Sequence, residues 1–436
     1  MSAAAGSSAG PARTHPGPNE ALKFAPTELK GELPFFNDWG SSAVDHQREK
    51  LYMYGGVRPR DDDNIPTSDF HCLDLKAKQW WNLTDSLKFR PRNYVFDPFF
   101  KEDNTLERRK LPALTEPAVA LVSVGGGTYF FLFGGYDTEN STSELIAVDL
   151  DLLIWWFVDV QGTPLRPRLS ASMVAVDNRL FIFGGRENFD SPGIRTYSIA
   201  EYTPRTRWTW RVSDAPLPPD LPLLGYGIQS TPVFNGQKIL LTRGRTSEKP
   251  IDLSRESTIF FHTENHTFHD ARTTMGDFPQ GIAWYQTASL VVAARRPKLE
   301  SVSVSPSPTK RPRGRPPKNP APAAATPVVL TPASFQDSVM LVAWIKHTAD
   351  DDDLVPEAWL YSLPPAERIR CLDIREAVWD LNMDLQAFVA VGKRLFLLGS
   401  HEGREVPDAE NTGMEVDKPL PRFDIAAEIS TEYLKD

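Results

Sequence analysis

The sequence YFFLFGGYD at residues 129–137 recurs as LFIFGGREN at residues 180–188, with fifty residues between the two glycine pairs. Each copy is a run of aromatic and β-branched residues that ends on Gly-Gly and is followed by a polar loop and a second apolar run. Tryptophan then follows, at Trp155-Trp156 in the first copy and at Trp208 and Trp210 in the second. A period near fifty residues with these two features predicts four-stranded blades arranged around an axis.

The glycine pairs have a physical explanation in such a blade. The chain must turn sharply beside a neighbouring blade, and glycine supplies an open φ range and lacks a Cβ. The repeat resembles the kelch family of β-propellers, which implies that the tryptophans fill the space between adjacent sheets. We therefore predict that the glycines are structural and bind no ligand. They are Gly55, Gly56, Gly134, Gly135, Gly184 and Gly185.

Further copies of this pattern along the chain predict an all-β fold, in which residues 21–436 form a single propeller of six kelch-type blades. Blades four to six are weak copies, so seven blades is the alternative count. The last blade lacks a clear fourth strand, and LKFAPTEL at residues 22–29 is the expected donor, because propellers close by lending a strand from one terminus. Residues 1–20 are small, polar and rich in proline and glycine, which predicts a disordered N-terminus.

Composition limits the compartment and the chemistry. Of 436 residues, 41% are hydrophobic, and no apolar run approaches the roughly 20 residues that a membrane helix needs. The first residues have no apolar segment typical of a secretion signal. Cys72 and Cys371 fall in different blades, so no disulfide framework or multi-cysteine metal site is expected. These features predict an intracellular protein with no membrane association.

A proline-rich insertion interrupts blade five at residues 297–335. It contains ten prolines and no periodic apolar pattern, a composition that predicts disorder. It replaces the turn between the first and second strands of that blade. We therefore expect a flexible loop that leaves the propeller at the tip of a hairpin.

Inside this insertion, the sequence KRPRGRPPK at residues 310–318 resembles the AT-hook of high-mobility-group proteins. In such a peptide Gly314 lets the extended backbone enter the narrow minor groove, and Arg313 and Arg315 lie along it, drawn by its negative potential. Lys310, Arg311 and Lys318 would contact phosphates. The same residues also fit a plain basic linker or a nuclear-import signal, and this alternative stays open.

Charge separates the insertion from the propeller. Residues 295–318 carry eight Lys or Arg and one Glu, a net charge of +7, whereas the whole chain carries −9. The remainder therefore carries −16 and should repel DNA. We expect an unidentified protein partner on the face that bears the acidic loops, which lie at 61–63, 84–116, 350–353 and 401–421.

Two serines beside the hook are candidate phosphorylation sites. Ser305 and Ser307 each precede a proline, and Ser307 is followed by Lys310 at the spacing that proline-directed kinases of the cyclin-dependent type prefer. A phosphate here would oppose the contacts of the hook with DNA.

Enzymatic signals are weak. His262, His266 and His269 lie in a predicted hairpin that scatters the imidazoles, and no nucleophile elbow or phosphate-binding glycine loop is present. We therefore predict no catalytic, cofactor or metal site. The favoured function is a non-enzymatic nuclear interaction module whose hook contacts A/T-rich DNA weakly. The alternatives are a cytoplasmic kelch adaptor or polarity scaffold with an incidental basic loop, and, more remotely, a kelch-type isomerase or lyase.

Overall fold

The computed structural model describes fourteen segments of the chain. They are residues 25–35, 40–57, 65–91, 108–203, 207–218, 227–242, 258–270, 282–293, 335–345, 355–363, 368–372, 374, 383–401 and 425–430.

The described strands form six sheets of mainly antiparallel strands, in agreement with the predicted six-bladed all-β propeller. In blades one to three the four main strands run in order from the axis outward. Blade one holds β3 (Ser41–Asp45), β4 (Lys50–Tyr54), β5 (Phe70–Asp74) and β6 (Gln79–Asn82), followed by a 3₁₀ turn at Thr84–Ser86. Blade two holds β8 (Ala118–Val124), β9 (Gly127–Phe133), β10 (Leu145–Asp149) and β11 (Ile154–Phe157). Blade three holds β13 (Ser172–Val176), β14 (Arg179–Phe183), β15 (Thr196–Thr203) and β16 (Arg207–Pro216).

The three weak copies form sheets of the same kind. Blade four holds β17 (Gln229–Val233), β18 (Lys238–Thr242), β19 (Thr258–His262) and β20 (Phe268–Asp270). Blade five holds β21 (Ile282–Ala293), β22 (Phe335–Ile345), β23 (Val355–Ser362) and β24 (Arg368–Leu372). Blade six holds β25 (Met383–Val391), β26 (Arg394–His401) and β27 (Ile425–Ser430). The described residues thus form six blades, as the favoured count predicts.

An N-terminal strand completes blade six. β1 (Ala25–Glu28) pairs antiparallel with β27, so that Ala25 lies opposite Glu428 and Glu28 opposite Ile425. Leu29, the next residue, is buried between blade six and blade one. The predicted closure by residues 22–29 is therefore confirmed for the part of that stretch that the structure describes.

Blades one to three carry a fifth strand that the sequence did not predict. β2 (Lys30–Gly31), β7 (Lys88–Phe89) and β12 (Val160–Gln161) each pair in parallel with the fourth strand of the following blade. Two residues are too few to show an alternating apolar pattern, so no sequence signal marks these strands. In each of these three sheets, the segment that enters the blade thus covers the outer edge.

Tight turns adopt the backbone conformations that their sequences require. Asp177 has φ 54° between β13 and β14, and Asn235 and Gly236 have φ 51° and 79° between β17 and β18. Asn, Asp and Gly tolerate this left-handed region best. Asp177-Asn178 predicts a two-residue turn, and the structure has one. Asn235-Gly236 predicts another, but there Val233 pairs with Lys238, so the loop is four residues long.

The tryptophans of each blade pack against the preceding blade. Trp80 and Trp155 are fully buried, Trp80 against blade six and Trp155 against blade one. Trp208 lies 4.9 Å from the ring of Phe131 in blade two. Phe268 takes the corresponding place in blade four, 5.6 Å from Tyr197 of blade three. Large rings remove the most apolar surface from water between sheets, which is why this position is aromatic in all four blades.

The hairpin that carries the insertion is longer than the rest of its blade. β21 and β22 pair from Ile282 opposite Ile345 to Ala293 opposite Phe335, whereas β23 ends its pairing with β22 at Ser338. The last residue pairs of this hairpin therefore extend past the four-stranded part of the blade. Residues 294–334, including the predicted hook and its two serines, lie outside the described residues.

Candidate interaction face and central channel

The first strands of the blades line a central channel. It encloses a cavity of about 480 Å³ bordered by β3, β8, β13, β17 and β25, together with Thr287 of β21. The lining side chains are mostly Ser, Thr, Ala and Val. Small residues are needed here because the inner strands of six blades converge on the axis.

Hydroxyl groups connect neighbouring inner strands. Ser172 Oγ lies 2.6 Å from Ser230 Oγ, and Thr231 Oγ1 lies 2.7 Å from Thr287 Oγ1. Ser41 Oγ donates to the carbonyl oxygen of Pro117 at 2.6 Å. These hydrogen bonds satisfy the polar groups at the axis and join small side chains of neighbouring inner strands. They therefore fix the spacing of those strands and with it the width of the channel.

One mouth of the channel has a repeated backbone arrangement. Glu116, Ser170 and Gly227 each lie two residues before the inner strand of blades two, three and four, and all three have positive φ. Ser170 N donates to Glu116 O and Gly227 N to Ser170 O, each at 3.0 Å. The Glu116 carboxylate accepts a hydrogen bond from the Ser170 hydroxyl and lies 3.7 Å from the guanidinium of Arg186. The mouth is thus built from linked backbone and a largely buried ion pair.

Two ordered loops rise beside this mouth, between β9 and β10 and between β14 and β15. Asp137 Oδ1 accepts from the backbone N–H groups of Glu139 and Asn140, and Asn188 Oδ1 accepts from that of Asp190. Ser141 Oγ donates to Glu187 O at 2.5 Å and joins the two loops. Side chains that bond their own loop backbone fix its shape before any partner binds. We call residues 136–141 and 186–191 together the loop face.

The comparisons with known proteins point to one repeat family. The chain is 28% identical over 149 residues to the bovine "Rab9 effector protein with kelch motifs", and 25% identical over 209 residues to the mouse protein of that name. It is also 26% identical over 212 residues to "Acyl-CoA-binding domain-containing protein 5" of Arabidopsis thaliana. The kelch motifs in the names of these relatives are consistent with the six blades of this structure and with its Gly-Gly and Trp repeat. The chain is a six-bladed β-propeller that is similar to proteins named for kelch motifs.

The matches cover only part of each protein. They take in 34% of this chain and 32% of the bovine relative, and 48% of this chain and 46% of the mouse relative. The chain thus matches less than half the length of these curated relatives. No family model matches it. Within the described residues, no helix is long and apolar enough to cross a membrane.

A buried arginine that the sequence did not single out holds one kelch glycine turn. Arg168 is fully buried, and its guanidinium lies 2.5 Å from Asp214 Oδ1 and donates to Gly184 O at 3.1 Å. Burial lowers the pKa of Arg168, and the carboxylate of Asp214 opposes this effect. The signal in the sequence is Pro167-Arg168, which by itself indicates only a turn between blades.

The glycine pairs have backbone conformations that disfavour other residues. Gly134 and Gly135 have φ 69° and 96°, and Gly135 N donates to Arg168 O at 2.9 Å. Gly184 and Gly185 have φ 61° and 95°. A Cβ on Gly55 would lie 2.5 Å from Leu114 O, and one on Gly185 would lie 2.9 Å from Leu169 O. Their structural role stays a prediction.

The β19–β20 hairpin brings two of its three histidines together, which corrects the expectation that it scatters all three imidazoles. The rings of His262 and His269 lie 4.7 Å apart, whereas His266 stacks on Phe261. Burial raises the pKa of the Cys72 thiol to about 11, which disfavours the reactive thiolate. Among the described residues, no three His, Cys, Asp or Glu side chains gather as a metal site would require.

Several predicted surfaces fall outside the described residues. They include all six candidate DNA contacts, from Lys310 to Lys318, and the acidic loops at 61–63 and 350–353. The aromatic part of the insertion between blades one and two, at 93–107, is also outside them. The described end of that insertion packs on blade two, where Arg109 O accepts from Trp155 Nε1 at 2.7 Å.

Proposed function

We propose that this protein is a non-enzymatic protein-interaction module whose binding surface is the loop face of the kelch propeller. The observation that carries the proposal is the pair of pre-shaped loops beside the channel mouth, joined by the Ser141 to Glu187 contact. A binding surface that is ordered in advance loses less conformational entropy on association.

The kelch relatives suggest the first class of partner to test. Two of them are named as effectors of Rab9, and an effector binds its GTPase in the GTP-bound form. Because the matches span less than half of those proteins, we propose a small GTPase only as the first partner to assay. Purified Rab9 loaded with a GTP analogue should bind more tightly than the GDP form, and equal weak binding of both forms would exclude Rab9 as the partner.

A photo-crosslinking residue locates the binding surface whatever the identity of the partner. It replaces exposed Asn140 on the loop face in one variant and exposed Leu152, on the opposite face, in the other. We expect the Asn140 variant to crosslink to proteins that the Leu152 variant does not capture. The same set of proteins at both positions would count against a dedicated face.

We further propose that residues 310–318 contact A/T-rich DNA and that the protein is nuclear. Support comes from the complete core Pro312-Arg313-Gly314-Arg315-Pro316 with basic residues on both sides. With at most five cationic contacts, the slope of log affinity against log salt should be no steeper than roughly −4.5. A single hook of this kind should bind weakly.

Fluorescence anisotropy of a peptide spanning residues 303–320 tests the hook. We expect tighter binding to A/T-rich than to G/C-rich duplex, and loss of this preference when Arg313 and Arg315 are both changed to Ala. Phosphate on Ser307 should weaken binding and make the salt slope shallower, because its negative charge opposes Lys310 and Arg311. Equal affinity for both duplexes would reduce the segment to a basic linker or an import signal. Imaging of a fluorescent fusion with and without residues 309–318 separates nuclear from cytoplasmic function.

A further inference from the structure

The loop face contains an aromatic pair, of which one ring is exposed. The rings of Tyr136, from the loop of blade two, and Phe189, from the loop of blade three, meet edge to face with centroids 5.0 Å apart. Phe189 remains 38% exposed, which makes it one of the few large apolar side chains at the surface of the described residues. An exposed ring held in a fixed position is typical of an anchor point for a partner side chain.

Contacts with Arg186 fix the position of Phe189. The Arg186 guanidinium lies 4.9 Å from the ring, and Arg186 NH1 donates to Phe189 O at 2.9 Å. Arg186 is 7% exposed and lies beside the carboxylate of Glu116. Its charge is therefore largely balanced inside the protein and does not project toward a ligand on the loop face.

The charges around the aromatic pair are mainly negative. The loops from residue 134 to 144 and from 184 to 195 carry five carboxylates and two guanidinium groups. Both guanidinium groups have protein partners, Arg186 at Glu116 and Arg195 at the carbonyl oxygen of Pro218. Arg166, a neighbouring exposed arginine, pairs with Glu187 at 3.7 Å. Asp137, Glu139 and Asp190 are exposed to solvent.

We propose that the loop face docks a cationic, partly apolar segment of a partner protein, with an aliphatic or guanidinium side chain on Phe189 and basic side chains near Glu139 and Asp190. This inference rests on the proposed function and names the chemistry of its partner. Charge complementarity selects this occupant, because an acidic segment would meet like charges at the rim. A guanidinium adds attraction to an aromatic face beyond that of a neutral side chain.

The test uses the full chain and two synthetic ten-residue peptides labelled with fluorescein. One alternates arginine with leucine, and the other alternates glutamate with leucine. Anisotropy at low and physiological salt gives the affinity for each peptide. We expect the arginine peptide to bind at least about tenfold more tightly than the glutamate peptide, and the difference to shrink as salt screens the charges.

Matched variants distinguish peptide binding at the loop face from attraction to the overall negative charge of the chain. Phe189→Ala is compared with Leu152→Ala, which removes a side chain that is 61% exposed on the opposite face. One double variant carries Glu139→Lys and Asp190→Lys on the loop face. Its control carries Glu264→Lys and Asp177→Lys, which place the same charge change on the opposite face. The loop-face variants should weaken the arginine peptide fivefold or more, and the controls less than twofold.

Two results would overturn the inference. Equal losses in loop-face and control variants would show that the peptide senses only net charge, and equal affinity of both peptides would remove the charge preference. Circular dichroism confirms that each variant keeps its fold, so a loss of binding is not mistaken for unfolding. Neither result bears on the proposed interaction module itself, because crosslinking at Asn140 reports a partner of any charge.

Discussion

At the scale of single residues, the turn after β9 shows how closely two blades approach. A Cβ placed on Gly134 would lie 2.1 Å from the backbone carbonyl oxygen of Arg168, whereas a Cβ on Gly125, in the turn between β8 and β9, would meet no atom within 4 Å. Both glycines have left-handed φ, 69° and 63°. The pair therefore separates the effect of a steric clash from the effect of backbone strain.

We expect Gly134→Ala to destabilise the protein by about 3 kcal/mol or more, because the carbonyl it would strike belongs to fixed backbone. Gly125→Ala should lower stability by only about 1 kcal/mol, the cost of a left-handed alanine. Urea unfolding of both variants measures the difference. Equal stability of the two variants would show that the glycine pairs have no structural role of the kind proposed.

The buried arginine gives a second prediction at this scale. Arg168→Ala removes the partner of Asp214 and a donor to Gly184 O in the interior, so we expect a loss of roughly 3 kcal/mol or more. Arg166→Ala, two residues away, removes a side chain that is 69% exposed and should change stability by less than about 0.5 kcal/mol. Thermal unfolding of the two variants compares them directly, and similar melting temperatures would contradict an anchoring role for Arg168.

At the scale of elements, blade six depends on a strand from the other end of the chain. β1 supplies the outer edge of that sheet through four paired residues. Ion pairs support the same seam: Lys78 and Arg394 both contact Glu428, and Arg394 lies 2.6 Å from Glu49. These side chains are partly exposed, so the ion pairs contribute little beside the strand pairing and the burial of Leu29.

Removing residues 1–31 should therefore open the ring. We expect the melting temperature to fall by more than about 10 °C and the protein to aggregate, because β27 loses its neighbour and leaves an unpaired edge. Removing residues 1–20 alone should leave the melting temperature unchanged, since β1 and β2 are kept. If both truncations melt like the parent protein, the N-terminal strand does not close the propeller in solution.

At the scale of the whole molecule, the long insertion in blade five should be separable from the propeller. β21 and β22 stay paired up to Ala293 and Phe335, so a short turn can replace what lies between them. We expect deletion of residues 300–330 to shift the melting temperature by less than about 5 °C, because the change in loop-closure entropy is of order 1 kcal/mol. A larger fall would show that the insertion packs on the blades.

The sequence alone determined the repeat and therefore the fold. Gly-Gly, tryptophan and Asn-Gly act over a few residues, and each carries a local conformational or packing demand that recurs at a fixed period. This is why the blade strands, the hairpin turns and the N-terminal closure were predictable, even where blades four to six had lost parts of the pattern.

Only the tertiary structure decided the contacts between parts of the chain that are distant in sequence. The partnership of Arg168 with Asp214 spans 46 residues, and the meeting of Tyr136 with Phe189 joins two blades. The parallel strands β2, β7 and β12 are two residues long and carry no pattern of their own. Such features depend on how the blades are placed around the axis, because burial and the distance between charges are properties of the folded ring, and a local run of residues does not encode them.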